Sequence, residues 1–180
     1  MAPPSFTDLM PEIAASMRSA GQPMALLASV DSIVSREIGR IFSTFLMVHP
    51  DGEGERIFSS DPQTFPLGGR KPMLGREWSD HVIGRAKPFL ARTMEEIRSS
   101  TLDSGWVDRL GCRCLLNMPI VHDGTVVGTF NVGVTENRFQ EADIRRVETL
   151  ATFIGPSLAW LRLKATGASA SDRPIESTEI

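Results

Sequence analysis

Apolar residues near the start of the chain recur at intervals of three and four. Phe6, Leu9, Met10, Ile13 and Met17 form one stripe, and after Gly21 a second stripe runs through Leu26, Leu27, Val30, Ile33, Val34 and Ile38 to Gly39. Such spacing keeps side chains on one face of a 3.6-residue helix, so two amphipathic helices are predicted, with Pro23 at the start of the second. From 41 to 49 the pattern becomes a compact β-branched and aromatic run, and Pro50-Asp51-Gly52 supplies turn chemistry before 56–60. This predicts a β-hairpin. Residues 61–75 contain Pro62, Pro66 and Pro72 with three glycines, and are read as an ordered loop, a candidate lid over a pocket mouth. A helix is predicted over 76–85 from Trp78, Val82 and Arg85, and an edge strand over 88–92. Thr93 and Glu96 have the spacing of a capping box, and a further short helix from about 103 should end near Leu110, before Gly111.

Residues 111–134 hold two alternating runs around Asp123-Gly124, a dipeptide suited to the positive φ angles of a tight hairpin turn. Cys114, Leu116, Met118 and Ile120 share one parity, matched on the return strand by Val126, Gly128, Phe130, Val132 and Val134. That face is apolar. Arg113, Leu115 and Asn117 share the other parity with Thr129, Asn131 and Gly133, so the second face is partly polar and is the better pocket wall. A strict two-residue turn would set Asn117 opposite Phe130 and mix the faces. A three- or five-residue loop, or a β-bulge near Pro119, is therefore expected. Residues 141–163 place Ile144, Val147, Leu150, Ile154, Leu158 and Leu161 at helical spacing, which predicts a long terminal helix with a kink at Pro156. The division that follows is a helical extension over 1–22, one folded domain over 23–163, and a small, polar, aperiodic tail over 164–180 expected to be disordered.

Composition adds exclusions. The chain has 180 residues, 41% of them apolar and 23% charged, which suits one globular domain. A net charge of -3 supplies no basic field for nucleic acid. The longest uncharged stretch near the C-terminus, 149–161, is 13 residues and contains Gly155-Pro156, too short and too broken to span a bilayer. The start, Met-Ala-Pro-Pro-Ser, has neither a basic-then-apolar leader nor a myristoylation signal, so a cytoplasmic location is the expectation.

The order of elements resembles the GAF domain family. Leu110 to Val134 is similar to its central hairpin, where a strand ending in Pro-Ile or Pro-Val leads through a Gly turn to a strand beginning Val-Gly. The corresponding residues are Pro119-Ile120, Asp123-Gly124 and Val127-Gly128. Asn137-Arg138-Phe139 and Asp143 resemble the signature of cyclic-nucleotide-binding members, with Ile144 where the closing Glu would stand. The SSDPQTFPLGGRKP loop and the GC-x-C-x-x-N strand look most like small stand-alone bacterial members. The resemblance implies an α+β fold: an antiparallel sheet of five or six strands, terminal helices on one face, and a ligand pocket with short helices on the other. It also implies a sensor of a small polar or anionic metabolite, a homodimer through the terminal helices, and a downstream protein partner.

The candidate contacts for such a ligand are Arg113, Asn117, Asn131 and Thr129 on the hairpin, Trp78 and His81 on the predicted helix, Arg92, and Lys71 in the candidate lid, where Arg70 is an alternative cation. Cys112 and Cys114 are the only cysteines. On a strand their sulfurs would share a face with α-carbons roughly 6.5 Å apart, so a disulfide would be strained. They are read as reduced thiols under the terminal helices, with a thiol enzyme resembling the free methionine sulfoxide reductases as the alternative function and a dimerisation module with a filled pocket as another. His49, His81 and His122 are scattered, so no metal site, catalytic acid–base pair or bound cofactor is expected.

Overall fold

The computed structural model describes residues 6–73, 75, 77–101, 104–136 and 139–166. Asn137, Arg138, Arg76, Asp103 and residues 167–180, on which parts of the sequence reading fall, lie outside this set.

Helices α1 (Phe6–Arg18) and α2 (Met24–Ile38) lead into strands β1 (Phe42–Val48) and β2 (Glu53–Ser59), the first predicted hairpin. Residues 61–75 depart from the loop reading, because Gly68–Pro72 forms an edge strand, β3, antiparallel to β2. A run of Gly-Gly-Arg-Lys-Pro has almost no β-propensity, so its strand exists only because β2 offers a free edge. The helix expected over 76–85 is one turn, α3 (Glu77–Ser79), continued as a π-helical turn over Asp80–Gly84. Strand β4 (Phe89–Ala91) is the opposite edge, as predicted. Helix α4 (Met94–Ser99) opens with the predicted capping box: Thr93 Oγ1 accepts from the Glu96 amide at 3.2 Å, and Glu96 Oε2 accepts from the Thr93 amide at 3.0 Å. Then follow α5 (Gly105–Leu110), β5 (Cys114–His122), β6 (Thr125–Val134) and α6 (Glu141–Ala165), which runs through Pro156 as one continuous helix.

All six strands are antiparallel in the order β3-β2-β1-β6-β5-β4. The β5–β6 turn is the two-residue Asp123-Gly124, with φ of 47° and 68°. His122 pairs with Thr125 and Val121 with Val126, after which the register shifts so that Ile120 meets Gly128 and Asn117 meets Asn131. The parity conflict is therefore resolved by a bulge close to Pro119, one of the expected alternatives: the register shifts between Ile120 and Val121, and the extra residue is Val127 on the facing strand β6. It turns Val127 rather than Val126 into the main core, correcting the predicted parity.

The main core lies between one sheet face and helices α1, α2 and α6. Leu9 and Ile13 of α1 enter it beside Val30, Val34, Phe45, Leu116, Phe130, Leu150 and Ile154, so the N-terminal helix is built into the domain core. Met17 of the same stripe is exposed. The second face packs a smaller cluster of Phe42, Phe65, Ile97, Trp106, Val107 and Leu115 under segment 61–110.

Candidate functional site

The second sheet face carries polar residues in its middle. Thr44, Asn131 and Asn117 occupy one register across β1, β6 and β5. Their side chains form a buried chain in which Asn117 Nδ2 donates to Asn131 Oδ1 at 2.7 Å and Asn131 Nδ2 donates to Thr44 Oγ1 at 3.1 Å. Beside this row lies a cavity of about 260 Å³. Its floor includes Thr44, Leu46, Asn117, Asn131 and Arg56. Its walls are Phe65 and Pro66, residues Gly68, Gly69 and Lys71 of β3, and Trp78 and Trp106. Phe42, Phe65 and Trp106 form an aromatic trio with ring centroids 4.5, 5.0 and 5.2 Å apart, which gives the cavity one rigid apolar side.

Arg56 reaches the cavity because of a second bulge. Phe45 pairs with Phe58, but Leu46 pairs with Arg56, leaving Ile57 as the extra residue on β2. Regular alternation would turn Arg56 to the helix side together with Phe58. Instead Ile57 and Phe58 both pack against the main core, and Arg56 faces the cavity. Its Nη1 donates to the Pro66 carbonyl at 3.0 Å and its guanidinium lies 5.5 Å from the Phe65 ring centroid. Burial pulls its pKa below the usual arginine value. Three polar atoms around this one cavity are buried without a hydrogen-bond partner among the described residues: Arg56 Nε, Trp78 Nε1 and Asn117 Oδ1. Orphaned polar groups of this kind carry a desolvation penalty of roughly 1–3 kcal/mol each.

The structure brings four of the eight residues suggested by the sequence, Asn117, Asn131, Trp78 and Lys71, to this cavity. Thr129 shares the sheet face but is wholly buried outside the cavity, opposite Pro119 in the ladder, and its hydroxyl has no partner among the described residues. His81 Nε2 lies 3.1 Å from the Pro88 carbonyl, and its ring meets Phe89 edge-on at 6.0 Å. Arg92 donates to the Phe139 carbonyl at 2.9 Å, tying β4 to the segment before α6. Arg113 precedes β5, is exposed, and touches Met94 Sδ at 3.4 Å. Arg70 is engaged by Asp51 and, at 2.9 Å, by Glu53 on the outer side of β3. Arg56 was missed by the sequence reading. The available signal was the adjacent apolar pair Ile57-Phe58, which alternation cannot bury on one side without a bulge.

The cysteines are free, and the expectation that both sit under the terminal helices is corrected for Cys112. It falls before β5 and packs in the smaller cluster with Trp106 and Leu115, whereas Cys114 belongs to the main core. Burial raises both thiol pKa values, that of Cys112 to about 11. Thiolate is the reactive form. Alkylation by iodoacetamide at pH 8 is therefore expected to be at least tenfold slower in the folded protein than in urea, measured by mass spectrometry over time, and equal rates would show an accessible thiol. Among the described residues no His, Cys, Asp and Glu group could hold a metal ion, and no helix is long and apolar enough to cross a membrane.

A family model described as GAF domain matches residues 15–159. No curated protein matches the chain. Among solved structures, the GAF domain of a phosphoenolpyruvate-protein phosphotransferase from Coxiella burnetii superposes with a TM-score of 0.71 at 17% identity, covering 91% of this chain and 97% of that one. The corresponding domain from Acinetobacter gives 0.71 at 15% identity, covering 93% and 98%. The phycoerythrobilin-bound GAF domain of a cyanobacterial phytochrome gives 0.66 at 13%, covering 89% and 97%. At these identities the likeness is one of fold.

Proposed function

Because the chain belongs to the GAF domain family, we propose that it is a regulatory ligand-binding domain whose effector occupies the cavity between the polar sheet face and segment 61–110. The observation that carries this reading is that three residues lining one cavity, Arg56, Trp78 and Asn117, each hold a buried polar atom (Nε, Nε1 and Oδ1) with no hydrogen-bond partner among the described residues. A folded protein seldom leaves three such atoms around a single cavity unless another molecule satisfies them. The fold's likeness to a bilin-bound GAF domain agrees with a sheet face that accepts small molecules.

In this proposal the protein acts in the cytoplasm as a homodimer through its terminal helices. Trp160 and Leu163 of α6, and Met17 and Met24 of the first two helices, are large apolar side chains left at the surface on that side. Occupation of the cavity favours one arrangement of β3 and the Trp78 turn over another. The signal then reaches α6 through β5 and β6, on which it packs, and a downstream protein partner reads it.

Native mass spectrometry of freshly purified protein, with a denatured control, tests this directly. The expected result is a dimer carrying an added small mass that is lost on denaturation, with the adduct reduced at least tenfold in Asn117→Leu, which removes the free acceptor. An adduct of the same mass and abundance in Asn117→Leu would place the ligand elsewhere. A monomer would overturn the helix-mediated dimer.

A further inference from the structure

The charges around the cavity narrow the chemistry of its occupant. Arg56 is held by a carbonyl and an aromatic ring, neither of which carries a negative charge, and burial lowers its pKa from the usual arginine value. Arg40 provides the internal contrast: its side chain, 17% exposed, is met by both oxygens of Asp31 at 2.6 and 2.5 Å. Lys71, on the neighbouring strand, lines the same cavity but is exposed, so it adds positive charge near the site without being desolvated. For Arg56, a partly buried cation without a counter-charge, a bound anion would relieve the cost of desolvation. The unpaired indole N–H of Trp78 adds a neutral donor.

The remaining orphan has the opposite sense. Asn117 gives its amide hydrogen to Asn131, so Oδ1 is left to accept. Arg56 and Asn117 stand on β2 and β5, with β1 and β6 between them. Three strand spacings separate their backbones by roughly 14 Å. An inorganic anion at Arg56 would leave the Asn117 acceptor unsatisfied. The volume of about 260 Å³ lies just under the range of drug-sized sites, which suits a small metabolite. Phe65, against the Arg56 guanidinium, and Trp106 give the same cavity an apolar side.

We infer that the occupant is a small organic acid lying across the strands, with its carboxylate at Arg56 beside Lys71, its apolar body against the aromatic side, and a hydroxyl or amine donating to Asn117 Oδ1. This assignment rests on the cavity being the ligand site. Arg56 supplies the charge preference and Asn117 the preference for a distal donor.

The test is thermal-shift screening followed by calorimetric titration. The probes are ω-hydroxy and ω-amino carboxylic acids of graded length, hydroxybenzoates, the neutral amide of each, the corresponding acids without the distal donor, and sodium phosphate. At least one acid with a distal donor should bind, with its amide at least tenfold weaker. Arg56→Gln should lose that preference, Arg56→Lys should keep part of it, and Arg36→Gln, a surface change on α2, should leave it intact. Asn117→Leu should abolish the advantage of the distal donor. Circular dichroism establishes that each variant is folded. Amides binding as well as acids, or acid binding untouched in Arg56→Gln, would overturn the acid assignment while leaving the cavity as the site. Phosphate binding as tightly as the best acid would replace the organic acid by an inorganic anion. If no acid binds the wild-type protein the assignment falls, and the absence of any adduct in native mass spectrometry would then remove the cavity reading as well.

Discussion

Phe130→Ala is expected to lower the free energy of unfolding by about 3–5 kcal/mol, in the range measured for aromatic truncations in well-packed cores. Phe130 is fully buried on β6, and its ring stacks on Phe45 of β1 with centroids 4.1 Å apart and planes 12° from parallel. Phe45 in turn meets Phe58 of β2 edge-on at 5.6 Å, so one ring series joins three adjacent strands beneath the helices. Truncation removes the transfer free energy of the ring and opens a space bounded by a sheet and helices that cannot both move inward. Part of the cavity therefore persists. For a domain of this size the melting temperature should fall by roughly 10 °C. Urea unfolding of the two proteins measures the change, and a loss below about 1.5 kcal/mol would mean that the ring series is not a keystone of the core.

Gly128→Ala should cost about 3 kcal/mol for a different reason, overpacking against backbone. A Cβ at this position would stand 2.3 Å from Leu158 Cδ2 on α6 and 2.3 Å from the Leu46 carbonyl oxygen on β1. The leucine side chain can rotate, but the carbonyl belongs to the β1–β6 ladder, in which Met47 pairs with Gly128. Relief would require separating the two central strands or lifting α6 from the sheet. Gly84→Ala is the control, because no atom lies within 4 Å of its added methyl group. It is expected to change stability by less than about 1 kcal/mol, since a compatible glycine replacement acts mainly through the unfolded chain. Equal melting temperatures for Gly128→Ala and the wild type would show that the helix and sheet approach less closely than described.

The elements that could be read from the sequence are those whose signal is local. The α2 set from Leu26 to Ile38 is buried as its spacing predicts, and the Thr93–Glu96 capping box forms with both bonds. The central hairpin shows how far such reasoning reaches. Alternation on two strands required a register that keeps like faces together, and the dipeptide Asp123-Gly124 favoured a tight turn. Both hold, because a bulge absorbs the mismatch. Which residue would bulge was not legible, since that choice depends on how Val126 and Val127 each pack against elements distant in sequence.

The candidate site was most legible where it lies on that hairpin. Asn117 and Asn131 were identifiable as polar positions on an otherwise apolar pair of strands. Trp78 and Lys71 were suggested by position, and the structure brings them to the cavity together with Arg56. Arg113, Arg92 and His81 have the chemistry of ligand contacts, but their side chains engage Met94, Phe139 and Pro88 instead.

The chain's own pattern thus determined the helices, the hairpins and the apolar and polar faces of the central strands. These follow from periodicities of 3.6 and 2 that a single segment carries within itself. The tertiary structure decided the rest. It drew a glycine-rich stretch into β3 because a neighbouring strand edge was free, sent Cys112 into the opposite layer from Cys114, and used a bulge at Ile57 to turn Arg56 from the helix side to the cavity. Strand register and bulge position are settled by contacts between residues far apart in the chain, and a shift of one residue exchanges the two faces of a strand.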